Sequence, residues 1–161
     1  RLKPECASAV EFLLKNTATL GDKLGPILFQ LPPNLKKDAP RLRAFVDTLP
    51  PDRRYTIEFR HDSWFDDEVF DVLRLRDIPL CITEQPEFAS PIVATASWGN
   101  ARLHRFDYDA ASLATWAQTF AAQTWSDAYV VFKHDEGEGS GTPAVVNFIT
   151  AFSAAQGGST G

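Results

Sequence analysis

The sequence predicts an α/β domain built on a parallel sheet of the kind that curls into a (β/α)8 barrel. Three observations predict it. Strand-like and helix-like segments alternate in units of roughly 25–30 residues, the rhythm of repeated βα crossovers. Each strand-like segment carries polar side chains on one face and apolar side chains on the other. The charged residues also fall late in their strands, so right-handed crossovers would gather them at one edge of the sheet. Helices cover both faces of an open parallel sheet, whereas a barrel has an inner face that can take polar groups.

The elements follow in order. Val10, Leu13, Leu14 and Ala18 repeat at helical spacing, and Gly21 stands where such a helix would end. PILFQLPPN then reads as a short strand, Ile27 to Leu31, stopped by Pro32 and Pro33. Asp38 is placed to cap a helix from Ala39, with Pro40 tolerated in the first turn and Leu42, Phe45 and Val46 as its apolar stripe. YTIEFR, Tyr55–Arg60, is the second strand, and Asp66 opens a helix carrying Val69, Phe70, Val72 and Leu73. PLCIT, Pro79–Thr83, is the third strand and the run around Arg102–His104 the fourth. Asp109 or Ala110 starts a helix with Leu113, Trp116 and Phe120. YVVFK, Tyr129–Lys133, is the fifth strand, and a last helix carries Val145, Phe148, Ile149 and Phe152. The expected domain is residues 1–153, with 154–161 as a disordered tail.

Period-two counting sorts the polar side chains. Glu58 and Arg60 share a face with Thr56, opposite Ile57 and Phe59. Gln30 lies opposite Phe29 and Leu31, Arg102 and His104 opposite Leu103, and Lys133 opposite Val130 and Phe132. Charges on an inward face need partners, because an unpaired buried charge is costly. Glu58 among Arg60, Arg102 and Lys133 makes either an ion-pair layer closing the barrel or a pocket for an anionic or polyhydroxyl ligand.

Histidines 61, 104 and 134 all fall at or just past strand ends, but none shares a metal-ligand spacing with another, so no metal ligands are assigned. Trp64 is either a stacking platform for a ligand or core beneath a loop. HDEGEGSGTP has glycines suited to wrapping a phosphate, but its three acidic residues favour a mobile loop.

Composition bounds the functional classes. The 161 residues are 44% apolar with 12 Phe and 4 Trp, enough for one core. A net charge of −5 disfavours non-specific nucleic-acid or anionic-membrane binding. No run is long and apolar enough for a membrane span, and no signal peptide is read. Cys6 and Cys81 read as free thiols in a reducing cytoplasm. No GxGxxG or GxxxxGK[ST] occurs, so no nucleotide cofactor is implied and the cofactor stays unassigned. The chain starts at Arg1 and lacks Met, which reads as a processed or partial chain.

GPILFQLPPN, YTIEFRHDSWF, ARLHRFDYDAASLATWA and VVFKHDEGEGSGTPAVVNF together resemble successive blocks of the YecE-like family, domain of unknown function 72, from about Leu13 to Phe152. The resemblance implies a TIM-barrel-like fold whose N-terminal strands, with a Gly-Trp-Tyr-containing first strand, are missing here. It also implies that Gln30, Pro32, Pro33, Glu58, Arg60, His61, Trp64, Arg102, Lys133 and His134 are characteristic positions. Many relatives have two asparagines where Lys133 and His134 stand.

The first functional expectation is a hydrolase or lyase acting on an anionic or carbohydrate-like small substrate. Glu58, His61 and His104 would move protons, and Gln30, Arg60, Trp64, Arg102, Lys133 and His134 would bind the substrate. The alternatives are a non-catalytic anion- or partner-binding module and a metal-dependent phosphodiesterase or nuclease.

Overall fold

The computed structural model describes residues 7–105, 107–132 and 141–157. Helix α1 (Ala7–Thr17) ends earlier than the spacing predicts, where Thr17 Oγ1 donates back to the Leu13 and Leu14 carbonyls. Tighter turns follow to Lys23, broken at Gly21, whose φ of 53° is readily open only to a residue without a side chain. Strand β1 (Ile27–Gln30) then stops at the prolines as expected.

The caps do what their side chains dictate. Asp38 accepts from Arg41 N at 3.0 Å and starts α2 (Ala39–Asp47). Asp66 accepts from Glu68 N at 3.0 Å and starts α3 (Asp67–Arg74), which buries Val69, Phe70, Val72 and Leu73. Each such side chain contributes about 2 kcal/mol relative to leaving it in water. Asp109 accepts from Ser112 N at 2.7 Å and starts α4 (Ala110–Ala121). Helix α5 (Thr142–Gly157) runs past the expected boundary at residue 153, because Ala154, Ala155 and Gln156 are good helix formers.

Strand β2 (Tyr55–Glu58) lies parallel to β1, with Ile27 opposite Tyr55 and Gln30 opposite Glu58. Strand β3 (Ile82–Gln85) pairs parallel with β5 (Gly99–Leu103), which pairs parallel with β6 (Ala128–Phe132). The two groups meet through the segment before β3. Ile57 N donates to Pro79 O and Cys81 N to Ile57 O, making an isolated parallel bridge between Ile57 and Leu80.

This stagger corrects the expected third strand. Residues 79–81 serve β2, while residues 82–84 serve β5, so the strand proper starts three residues later. A short antiparallel strand, β4 (Phe88–Ala89), also folds back on β3, an element that the alternation did not predict. Thr83 N and Ser90 Oγ, with Ser90 N and Thr83 O, close that hairpin at 2.9 Å each.

The architecture is therefore mixed α/β, parallel in all but one pairing. Among the described residues β1 pairs only with β2 and β6 only with β5, and the strands do not close into a barrel. One core lies between the first strands and α2 and α3, centred on Leu42, Ile57, Phe59 and Trp64. A second lies between the later strands and α4 and α5, around Leu113, Ala117, Phe120 and Phe148. Gly99 is forced by packing, since a Cβ there would run into the Trp125 ring. No described helix is long and apolar enough to cross a membrane.

Candidate functional site

Parity brings four of the expected residues together. Gln30 and Glu58 sit side by side at the ends of β1 and β2, Arg60 lies two residues beyond Glu58, and Arg102 lies on β5. Glu58 is fully buried. Its Oε2 accepts from Arg102 Nη1 at 2.5 Å, while its Oε1 meets Arg60 Nε as an ion pair. Gln30 Oε1 accepts from both guanidinium groups, Arg60 Nη2 at 3.3 Å and Arg102 Nη1 at 3.2 Å. A carboxylate at the bottom of a strand face thus anchors two arginines, and a glutamine carbonyl clips them from the side.

Strands β2 and β5 are not neighbours, so Arg102 must reach across the segment that leads into β3. Cys81 occupies that gap. Its Sγ lies 3.9 Å from Glu58 Oε2, and its small size leaves room for the guanidinium to pass. The Cys81 thiol is held well above its ordinary value, chiefly by burial and then by the Glu58 charge, with Arg102 and Arg60 partly opposing.

A thiol whose folded pKa is raised adds stability that is whole below the unfolded thiol's pKa of about 8.5 and drains away as pH rises above it. In a Cys6→Ser variant at pH 8, Cys81 is expected to resist iodoacetamide until urea unfolds the chain. Labelling of the folded protein at the rate of a free thiol would contradict this burial.

The charge balance of the cluster follows by counting. Two guanidinium groups face one carboxylate, a net of +1. Arg60 and Arg102 keep 15% and 26% of their side chains exposed, so the excess charge reaches solvent. Two further polar groups belong to the same face and were missed from the sequence. Thr83, opposite Arg102 on β3, is 1% exposed with no hydrogen-bond partner for Oγ1 among the described residues. Gln85, two residues on, likewise has a buried Nε2 without a partner there. The alternation Thr83–Gln85 carried the signal, but the expected strand ended too early to use it.

Other candidates go elsewhere. Trp64 presents no face to a ligand. It is fully buried, stacked on Phe59 at 4.8 Å, with Nε1 donating to Leu35 O at 2.7 Å. His61 Nδ1 accepts from Ser63 N at 3.1 Å and caps the turn that follows β2. His104 is half-buried just past β5, with its backbone N–H on Glu84 O. Lys133, His134 and the rest of the acidic glycine loop through Ser140 lie outside the described residues, as does Cys6.

Glu84 faces the helices. It accepts from Tyr108 O–H at 2.7 Å and Trp116 Nε1 at 3.1 Å, and lies 3.6 Å from Arg105, which fixes α4 against the sheet. No group of three His, Cys, Asp or Glu among the described residues is gathered closely enough to hold a metal ion.

A family model described as Protein of unknown function DUF72 matches residues 1–159. The chain belongs to the DUF72 family. The YecE-like motifs read from the sequence are consistent with that assignment. Solved DUF72 proteins share the fold of this chain. One from Thermotoga maritima is 18% identical with a TM-score of 0.69, covering 92% of this chain and 65% of its own. One from Enterococcus faecalis is 16% identical with a TM-score of 0.73, covering 94% and 66% respectively. This DUF72 chain thus spans about two-thirds of the length of these relatives. No curated protein matches it.

Proposed function

We propose that this DUF72 chain binds a small anionic ligand where Arg60 and Arg102 converge, at the C-terminal edge of a sheet that belongs to a (β/α)8-type barrel. The barrel reading draws support from the parallel pairing of β1 with β2, β3 with β5 and β5 with β6, and from the polar face that Gln30, Glu58, Thr83 and Arg102 share. The observation that carries the ligand reading is the net positive pair of guanidinium groups held by one buried carboxylate. Guanidinium groups pre-oriented in this way give bidentate, charge-assisted contacts to carboxylate, phosphate or sugar-acid oxygens. Gln30, Thr83 and Gln85 add neutral polar atoms suited to a hydroxylated body.

Binding is favoured over proton transfer because both Glu58 oxygens are already committed to arginines. The hydrolase or lyase reading would have Glu58 release one of them during turnover, with His61 or His104 as the second proton carrier. The metal-dependent nuclease reading finds no ligand cluster among the described residues. The free, buried thiol of Cys81 fits the reducing, cytoplasmic setting expected from composition.

A calorimetric screen of small carboxylates, phosphates and sugar acids tests the proposal. Arg102→Met is expected to weaken a hit by about ten- to a hundredfold, the value of one charge-assisted hydrogen bond. Affinity unchanged in both Arg102→Met and Arg60→Met would end the reading. Turnover of a hit that vanishes in Glu58→Gln, with affinity kept, would move the assignment to the enzyme.

A further inference from the structure

The opposite edge of the sheet holds a second set of uncommitted polar groups. Residues preceding β2, β3 and β5 enclose a cleft of about 310 Å³ there, lined by Leu49, Arg53, Tyr55, Arg76 and Trp98 among others. Tyr55 stands on the apolar face of β2, stacked near Phe29, and is 4% exposed. Its hydroxyl is buried and has no hydrogen-bond partner among the described residues. A buried hydroxyl left unpaired is uncommon, because it gives up its bonds to water for nothing in return.

The cleft's charged groups divide into spent and unspent. Arg54 pairs with Asp127 and lies over the Trp98 ring at 5.0 Å. Arg76 is held by Asp47 and by the Leu49 carbonyl. Asp77 accepts from Ser97 N and Oγ. Arg53 has a single long hydrogen bond, 3.4 Å to Leu14 O, and no ion pair among the described residues. Asp52, exposed at the rim, is the acidic group in the lining with no such commitment. The Tyr55 phenol is held above its ordinary value by burial; Arg53 and Arg76 pull it down and Asp52 pushes it up, which places both cations and this rim carboxylate within electrostatic reach of it.

We infer that this cleft is a second binding site, in which the Tyr55 hydroxyl and the Arg53 guanidinium take a small oxyanion, a carboxylate or phosphate. The hydroxyl donates one hydrogen bond and the guanidinium donates a fork, a donor set that matches a planar or tetrahedral oxyanion. Trp98 and Leu49 supply apolar lining to the same cleft. The site is separate from the arginine pair, since β2 has Tyr55 at its start and Glu58 at its end.

The test titrates the chain with inorganic phosphate and, separately, with acetate, following backbone amide shifts by NMR. Wild type and Arg102→Met are expected to show saturable shifts at residues 49–55. Arg53→Met and Tyr55→Phe, which keeps the ring and its packing, are expected to weaken them about tenfold. A response to phosphate alone assigns the site to phosphate groups, and one to acetate alone to carboxylates. No saturable shift at residues 49–55, or shifts that survive both Arg53→Met and Tyr55→Phe, would mean a hydrated cleft and would overturn the inference. Shifts that move only with Arg102 would place the anion at the other edge, overturning this site while leaving the first proposal standing.

Discussion

Glu58→Ala is expected to cost about 3 kcal/mol of folding stability, the low end for breaking a buried ion pair by removing one partner. The low end applies because Arg60 and Arg102 are partly exposed and can recover water once the carboxylate is gone. In a chain of 161 residues this corresponds to a fall in Tm of about 6–12 °C. Glu58→Gln keeps an acceptor for only one arginine, because its amide nitrogen is a donor that would face the other, and is expected to lose nearly as much. Urea denaturation measures both. A double-mutant cycle with Arg102→Met should return a coupling of at least about 1 kcal/mol, because the two side chains touch. A loss below 1 kcal/mol for Glu58→Ala would mean that the triad does not hold the strand ends together.

Trp64→Ala is expected to be more damaging, about 4 kcal/mol, within the range for deleting a large aromatic side chain from a close-packed core. Its ring is fully buried on Phe59, and its N–H holds the Leu35 carbonyl, so removal leaves both a cavity and an orphaned acceptor. Trp64→Phe keeps most of the stacking and should cost about 1–2 kcal/mol, largely for that orphaned carbonyl. Ligand affinity at the arginine pair should be the same in Trp64→Phe as in wild type. An affinity change without a stability change would restore Trp64 as a stacking platform and contradict its place in the core.

Much of the candidate site was legible because side-chain direction along a strand is a local property. Alternation alone put Thr56, Glu58 and Arg60 on one face and Ile57 and Phe59 on the other; Ile57 and Phe59 pack into the first core, while Thr56 and Glu58 bond to Asn100 and Arg102. Helix starts were equally legible: Asp38, Asp66 and Asp109 each accept from a backbone N–H two or three residues on. Such relations span a handful of residues, so the chain's own order contains them.

Depth was not legible. Period two tells which way Tyr55 points relative to its strand neighbours, but neither it nor the place of Trp64 in the turn after β2 tells how much of the fold closes over them. The hairpin at β4 and the late start of β3 were hidden for a related reason. Residues 79–85 have two partners in turn, and which residue bonds to which neighbour depends on where β2 and β5 sit. Glu84 lay just past the expected end of the third strand, yet it belongs to β3 and turns to Tyr108 and Trp116, which only the packing of α4 supplies.

The chain's order alone sets the βα rhythm, the caps and the polarity of each strand face, since each depends on backbone geometry and hydrogen bonding among near neighbours. That Arg102 meets Glu58, 44 residues away, across the gap left by Cys81, follows from the assembled fold. That meeting requires two non-adjacent strands to be held at a fixed spacing by a third, and spacing between strands is a property of the assembled sheet.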